Sequence, residues 1–274
     1  MERRTFITSS SNQRLKTIRR LRRARRCDDA FLVEGFRQVA CALDARAPVR
    51  ELYSAPQLHL GSCEGELVRE AERCGVLVAE LSAAAFESIS SHLRPDGIAA
   101  VVGRWPTDLD SLGLPPSPLV LVAEAVERPG NLGTIVRSAC AAGADALIVA
   151  DGCTDLFHPE TVRSSVGTLF KLPAAGATTK RTVAWLRTRE LRIVVATPQA
   201  ERACWDVDLG GSAALVVGNE RFGVSPTWLQ AADETVSIPM PGPADSLNVA
   251  VAAGVVMFEA ARQRAHTESL QRFS

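Results

Sequence analysis

An α/β protein in two parts, the second organised on a mostly parallel sheet, is predicted by three features of the 274-residue sequence. Short runs of Val, Ile, Leu and Ala alternate with segments of helical period. A proline-rich stretch interrupts that alternation before the middle of the chain, and 46% of the residues are hydrophobic, enough to fill a large core.

Near the N-terminus Leu15, Ile18 and Leu21 recur every three residues with arginines between them. This is the pattern of an amphipathic helix whose apolar stripe docks while its guanidinium groups face out. FLVEG (31–35) reads as a strand, followed by a helix carrying Phe36, Val39, Ala40 and Leu43. VRELYSA (49–55), a helix around Leu67 to Cys74, and VLVAEL (76–81) continue the alternation, and GIAAVVG (97–103) closes it as another apolar strand. Residues 104–118 contain four prolines and no sustained apolar period, as expected of a linker. The division is therefore 1–103, a linker at 104–118, and 119–274. Strands are expected at LVLVA (119–123), ALIVA (146–150), RIVVA (192–196), AALVVG (213–218) and TVSIPM (235–240). Such near-continuous apolar runs with helices between them suit a parallel sheet covered on both faces.

Net charge is zero, but residues 1–26 hold ten Arg or Lys against Glu2, leaving 21 basic and 30 acidic residues elsewhere. The asymmetry suits a localised basic surface for a polyanion as well as it suits a solvated charged helix. Seven cysteines without CxxC or Cys/His spacing read as reduced, mostly buried small hydrophobes of a cytoplasmic protein. The longest uncharged apolar run, Val249 to Phe258, is too short to cross a bilayer, and the basic start lacks the hydrophobic stretch of a leader. No membrane association is expected.

Three strand ends carry unusual loops, and ligands of open α/β sheets bind beyond the carboxyl ends of strands. In ERPGNLGTIVRSA, Asn131 suits a helix N-cap and Arg137 lies six residues further on; for this stretch alone a capped helix with a surface arginine is the plainer account. In VVGNERFGVSP, Gly218 lets a ligand approach the backbone, with Asn219 and Glu220 at the strand's edge and Ser225-Pro226 opening a helix; a tight turn is the plainer account. In SIPMPGPADSLNV, three prolines and Gly242 stiffen a loop that Asp245 or Ser246 ends by capping the next helix. No GxGxxG follows the first strand of this part, and no GxxxxGKS/T, GxSxG or HExxH occurs. The four histidines are dispersed, which disfavours a metal centre and a histidine-driven hydrolase.

Taken in order, ERPGNLGTIVRSA, LVVGNERFGVS and IPMPGPADSLNVAVAAGVVMFEA resemble the three motifs of the SpoU (TrmH-type) branch of the SPOUT superfamily of RNA 2′-O-ribose methyltransferases. The start of the chain, SSNQRLKTIRRLRRARRCDDAFLVEG, is similar to the small α/β RNA-binding domain, akin to a ribosomal protein, that precedes many members. One departure is RPDG before GIAAVV, where many relatives have glutamine before the glycine.

The resemblance implies a deep trefoil knot in the C-terminal domain, a homodimer formed through it, and methyl transfer from S-adenosylmethionine, leaving S-adenosylhomocysteine. It implies Arg137 as the catalytic arginine, with Asn131, Glu220, Ser246 and Asn248 completing the catalytic set. The implied cofactor pocket is made by Thr197, Gly218, Asn219, Ile238, Met240, Ser246 and Leu247. RNA contacts are expected from Arg19, Arg20, Arg22, Arg23, Arg25, Arg26 and Arg163. The appended N-terminal domain favours ribosomal RNA, 23S rRNA first, serving ribosome maturation or antibiotic resistance. A tRNA methyltransferase and a non-catalytic RNA-binding or ribosome-assembly protein are the alternatives.

Overall fold

The structure is a computed structural model describing residues 5–23 and 29–271; Arg25 and Arg26 lie outside the described residues. In chain order the strands are β1 (Thr5–Ile7), β2 (Ala30–Glu34), β3 (Val49–Ser54), β4 (Leu77–Leu81), β5 (Ile98–Gly103), β6 (Leu119–Glu124), β7 (Ala146–Ala150), β8 (Ala174–Ala177), β9 (Arg192–Ala196), β10 (Ala213–Val217) and β11 (Glu234–Val236). The helices are α1 (Gln13–Arg23), α2 (Phe36–Asp44), α3 (Cys63–Arg73), α4 (Ala83–Glu87), α5 (Pro129–Ala141), α6 (Pro159–Ser165), α7 (Thr179–Thr188), α8 (Pro226–Ala231) and α9 (Val249–Gln271). They form two compact units, Met1–Trp105 with Asp155–Lys171, and Pro106–Thr154 with Leu172–Ser274.

In the first unit a five-stranded sheet has the order β1-β4-β3-β5-β2, parallel from β1 to β3 and antiparallel around β5. Helix α1 forms as its period predicts. Asn12 opens it, its Oδ1 accepting from Arg14 N (2.8 Å) and its carbonyl from Lys16 N (3.1 Å). Leu15, Ile18 and Leu21 are buried in a cluster with Leu32, Tyr53, Leu81 and Phe86. Asp96, the departure noted in RPDG, has a local role: its carboxylate accepts from Phe36 N (2.6 Å) at the start of α2 and from Ile98 N (3.2 Å).

The sequence division is linear, but Asp155–Lys171 leaves the second sheet and folds with the first unit. Phe157 is its anchor, with ring centroids 4.9 Å from Phe31 and 4.7 Å from Trp105. Arg104 lies over the Phe157 ring at 4.6 Å and donates two hydrogen bonds to Asp155, at 3.0 and 3.3 Å. No proline or glycine run marks this excursion, so a search for linkers passes over it.

The second unit holds a six-stranded sheet of order β11-β9-β10-β6-β7-β8, every pairing parallel. Strands β6, β7 and β10 are buried along their whole length, as covering on both faces requires. Strand β8 was not foreseen because AAGA has no β-branched residue. The strand expected through Met240 stops at Val236. The proline-rich segment is no free tether: Leu109 and Leu112 are buried with Val120, Ile148 and Trp185, and Thr107 O accepts from Gly176 N (2.8 Å) at the β8 edge.

The cysteines are not mostly buried as expected: Cys63, Cys74 and Cys153 are exposed, and among those described Cys204 alone is fully buried. Each sits in a helix or loop that turns it outward. Among the described residues no helix is long and apolar enough to cross a membrane.

Candidate active site

Strands β6, β7 and β8 follow one another across one half of the sheet; the chain then crosses to β9 on the other side and fills the gap with β10. The connections after β6 and β10 therefore leave toward opposite sides, and it is beyond the carboxyl ends of such strands that a parallel sheet opens a crevice. A cavity of about 770 Å³ lies there, within the range of roughly 300–1,000 Å³ typical of small-molecule sites. Thr197 lines it from the end of β9, Gly218, Asn219 and Glu220 from the end of β10, and Ile238, Met240, Ser246 and Leu247 from the segment that leads to α9. The structure thus brings together every residue expected at the cofactor, with Glu220 and Ser246 of the catalytic set. Pocket-lining residues not foreseen at the cofactor include Gln199, Arg221, Phe222 and Leu229. Of these, only Phe222 left a signal in the sequence, an aromatic in an otherwise polar turn.

The turn after β10 is locked by its own atoms. Asn219 and Gly223 exchange backbone hydrogen bonds at 2.9 and 3.0 Å, and Asn219 Oδ1 accepts from Arg221 N and Phe222 N. Its Nδ2 donates to Ala125 O (2.8 Å) and Glu127 Oε1 (3.2 Å), stapling this turn to the loop after β6. Asn219 therefore lines the cavity with a side chain already committed to the fold. Gly218 was expected to admit a ligand; a Cβ there would instead meet the backbone of Gly223 and Val224 at 2.4 Å, so the close approach is by the chain itself.

Helix α5 begins at Pro129 with Arg128 as its N-cap, so Asn131 is not the cap but a side chain of the first turn. That placement frees its amide: Nδ2 donates to Glu220 Oε1 (2.7 Å) and Oδ1 accepts from Asn248 Nδ2 (3.2 Å). Asn248, rather than Asp245 or Ser246, caps α9, its Oδ1 accepting from Ala250 N (2.9 Å) and its carbonyl from Ala252 N (2.9 Å). Burial pushes the Glu220 carboxyl up, but hydrogen bonds from Asn131 and from the backbone amides of Glu220, Glu127 and Arg128 outweigh it and hold the group below the ordinary glutamate value. A carboxylate so held accepts hydrogen bonds and is a poor proton carrier at neutral pH.

Arg137 is exposed on α5 and, among the described residues, its guanidinium has no hydrogen-bond or ion-pair partner. It does not line the cavity. Glu124, at the carboxyl end of β6 and one residue beyond the strand expected at 119–123, is a buried carboxyl. It accepts from Ser225 N (2.8 Å) and Thr179 Oγ1 (3.3 Å), and so ties the starts of α8 and α7 to the central strand.

In the first unit Lys16, Arg19, Arg20 and Arg23 line one open basic depression along α1. Two of the expected RNA contacts are partly engaged, since Arg19 donates to Ser10 O (2.5 Å) and Arg22 to Ser90 O (2.6 Å). Arg20 and Arg23 remain exposed. Arg163 sits on α6 in the excursion, with an exposed pairing to Glu160 at 3.8 Å.

A wholly parallel sheet with a cofactor-sized crevice beyond the carboxyl ends of β9 and β10, preceded in the chain by a separate α/β unit, has the architecture of a SPOUT-type methyltransferase domain with a substrate-binding domain. The chain belongs to the SpoU rRNA Methylase family, which matches residues 118–258, and residues 12–100 match the MRM3-like substrate binding domain. It is similar to the 23S rRNA (uridine(2479)-2'-O)-methyltransferase of Streptomyces viridochromogenes, 36% identical over 85% of this chain and 83% of the relative. It is 32% identical to the 23S rRNA (guanosine(2553)-2'-O)-methyltransferase RlmP of Bacillus subtilis (strain 168), over 92% of this chain and 97% of the relative. The crystal structure of AdoMet bound rRNA methyltransferase from Sinorhizobium meliloti superposes with a TM-score of 0.83 at 30% identity, covering 94% of this chain and 97% of that one.

Proposed function

We propose that the protein methylates a ribose 2′-hydroxyl of ribosomal RNA, 23S rRNA being the favoured substrate, with S-adenosylmethionine as donor. The observation that carries this reading is the crevice at the carboxyl ends of β9 and β10, where Thr197, Gly218, Ile238, Met240 and Leu247 offer polar edges and apolar walls suited to such a cofactor. When bound, S-adenosylmethionine supplies an activated methyl group and departs as S-adenosylhomocysteine.

The chain's own residues then position the acceptor. Asn131 joins the loops carrying Glu220 and Asn248, and so holds the arginine helix in register with the cofactor loops. A guanidinium keeps its protons. Arg137 therefore acts by donating to the 2′-oxygen as negative charge develops on it and by gripping the adjacent phosphate, while the hydroxyl proton passes to water. Ser246 supplies a hydroxyl at the cavity rim.

The same reading includes a cytoplasmic homodimer and a knotted C-terminal segment. Leu247, Val251, Val255 and Phe258 are exposed at helical spacing at and along α9, Val251 by 51% and Phe258 by 53%, a stripe suited to a second copy. Sedimentation of Val251→Glu with Phe258→Glu as a monomer, against a wild-type dimer, is the expected result. The segment 238–252 borders the loops at 196–200 and 217–224, an arrangement in keeping with a trefoil knot.

The deciding experiment is tritium transfer from labelled S-adenosylmethionine to separated unmodified rRNA and tRNA, followed by primer-extension mapping. One modified position in 23S rRNA is expected. Modification of tRNA alone would redirect the substrate, and cofactor binding without transfer to either would favour an RNA-binding or assembly role.

A further inference from the structure

Phe222 is 83% exposed, while the turn that carries it is held rigidly. Asn219 Oδ1 accepts from the amides of Arg221 (2.8 Å) and Phe222 (3.1 Å), and Gly223 (φ +68°) turns the chain back to bond with Asn219. A single exposed aromatic is unremarkable on a protein surface; its place distinguishes this one. Phe222 stands at the cavity lining, two residues from Glu220, whose carboxylate is fixed by Asn131. The apolar walls inside come from Val217, Ile238, Met240 and Leu247, so a ring this exposed is available to whatever enters from outside. Beside it the exposed Arg221 guanidinium has no hydrogen-bond or ion-pair partner among the described residues.

A preformed turn offering a π-face and a free cation suits a nucleotide drawn out of its stack, base against the ring and phosphate against the guanidinium. We propose that Phe222 is the stacking platform for the base of the target nucleotide and that Arg221 pairs with a phosphate beside it. Both determine substrate recognition without taking part in methyl transfer. The inference rests on the proposed RNA methyltransferase activity.

The test uses the full-length protein and a synthetic 23S rRNA fragment containing the mapped nucleotide, made with its base and with an abasic ribose at that position. Single-turnover transfer by Phe222→Ala should fall about tenfold to a hundredfold on the intact fragment, Phe222→Trp should recover it, and cofactor affinity and sedimentation should match wild type. On the abasic fragment wild type should fall by the same factor and Phe222→Ala no further. Arg221→Ala should weaken RNA binding and lower its salt dependence. The proposal is overturned if Phe222→Ala weakens cofactor binding in parallel, which would make the ring a cofactor lid. It is also overturned if the variant dissociates the dimer, or if its full penalty persists on the abasic fragment. A wild-type protein that modifies no nucleotide of full-length 23S rRNA would sink the methyltransferase reading as well; an active wild type indistinguishable from Phe222→Ala would sink this inference alone.

Discussion

The amide of Asn131 donates to Glu220 Oε1 at 2.7 Å across 89 positions of sequence, while its carbonyl oxygen accepts from Asn248 at 3.2 Å. One side chain therefore joins three loops, each of which faces the crevice or carries the arginine helix. Replacing Asn131 with Ala leaves Glu220 short of a donor and loosens α5 against α9. Misplacement of reacting groups on the order of 1 Å costs about a hundredfold in rate, so kcat should fall by about that factor. Calorimetric cofactor affinity should remain within about threefold of wild type, because Asn131 does not line the cavity. Equal losses in both would mean that the pair builds the pocket itself.

The same bond predicts a pH dependence of stability. The folded carboxyl of Glu220 lies below its ordinary value of 4.5, so the unfolded chain takes up the proton more readily. Its contribution to stability is complete above that ordinary value and disappears as pH falls through the lower folded one. The difference in melting temperature between wild type and Asn131→Ala should therefore be full at neutral pH and shrink below pH 4.5. A difference unchanged in acid would trace the effect to packing.

Arg137→Ala should reduce methyl transfer by about a hundredfold to a thousandfold, the scale of losing one donor to a developing oxyanion. Cofactor affinity should stay near wild type, since Arg137 is not among the residues that line the cavity. Arg137→Lys should recover only part, because a single ammonium cannot reproduce the two-pronged grip of a guanidinium. Single-turnover assays beside isothermal titration separate these outcomes.

Gly218→Ala places a methyl group 2.4 Å from the backbone of Gly223 and Val224, where no side-chain rotation relieves it. The turn must shift, at about 1–3 kcal/mol of stability, and the cofactor pocket shifts with it. Denaturant unfolding and cofactor titration should both register the change. A variant with native stability and affinity would show that the turn yields more easily than its hydrogen bonds imply.

The basic helix must be tested by charge and not by deletion. Leu15, Ile18 and Leu21 are core residues, each contributing about 1.5–3 kcal/mol by burial, so removing α1 would unfold the unit it belongs to. Arg20→Ala with Arg23→Ala leaves the apolar stripe intact. If both arginines contact phosphates, the slope of log affinity against log salt should decrease by about 0.7–0.9 for each, with the melting curve unchanged. An unaltered slope would mean a solvated helix.

The legible features were those that depend on neighbours in sequence. Four strands of the second sheet followed from unbroken apolar runs, and α1 from the period of Leu15, Ile18 and Leu21, because burial on a face writes its own spacing. Strand β8 was invisible because Ala174–Ala177 owes its pairing to β7 and not to its own residues. The cap of α9 was placed two or three residues early, since Asp245, Ser246 and Asn248 are all good caps and only the geometry chooses among them.

The sequence by itself determined the parallel α/β plan, the basic first helix, and the residue types at the three loops from which family and pocket could be read. Tertiary structure alone decided what those residues do to one another. Asn131 became a bridge instead of a cap, Asn219 a staple, Gly218 a site of contact between two backbones, and Asp155–Lys171 part of the first unit through Phe157 and Arg104. The reason is physical: propensity and period record forces within a few residues, whereas a hydrogen bond spanning 89 positions exists only after the sheet has set the loops side by side.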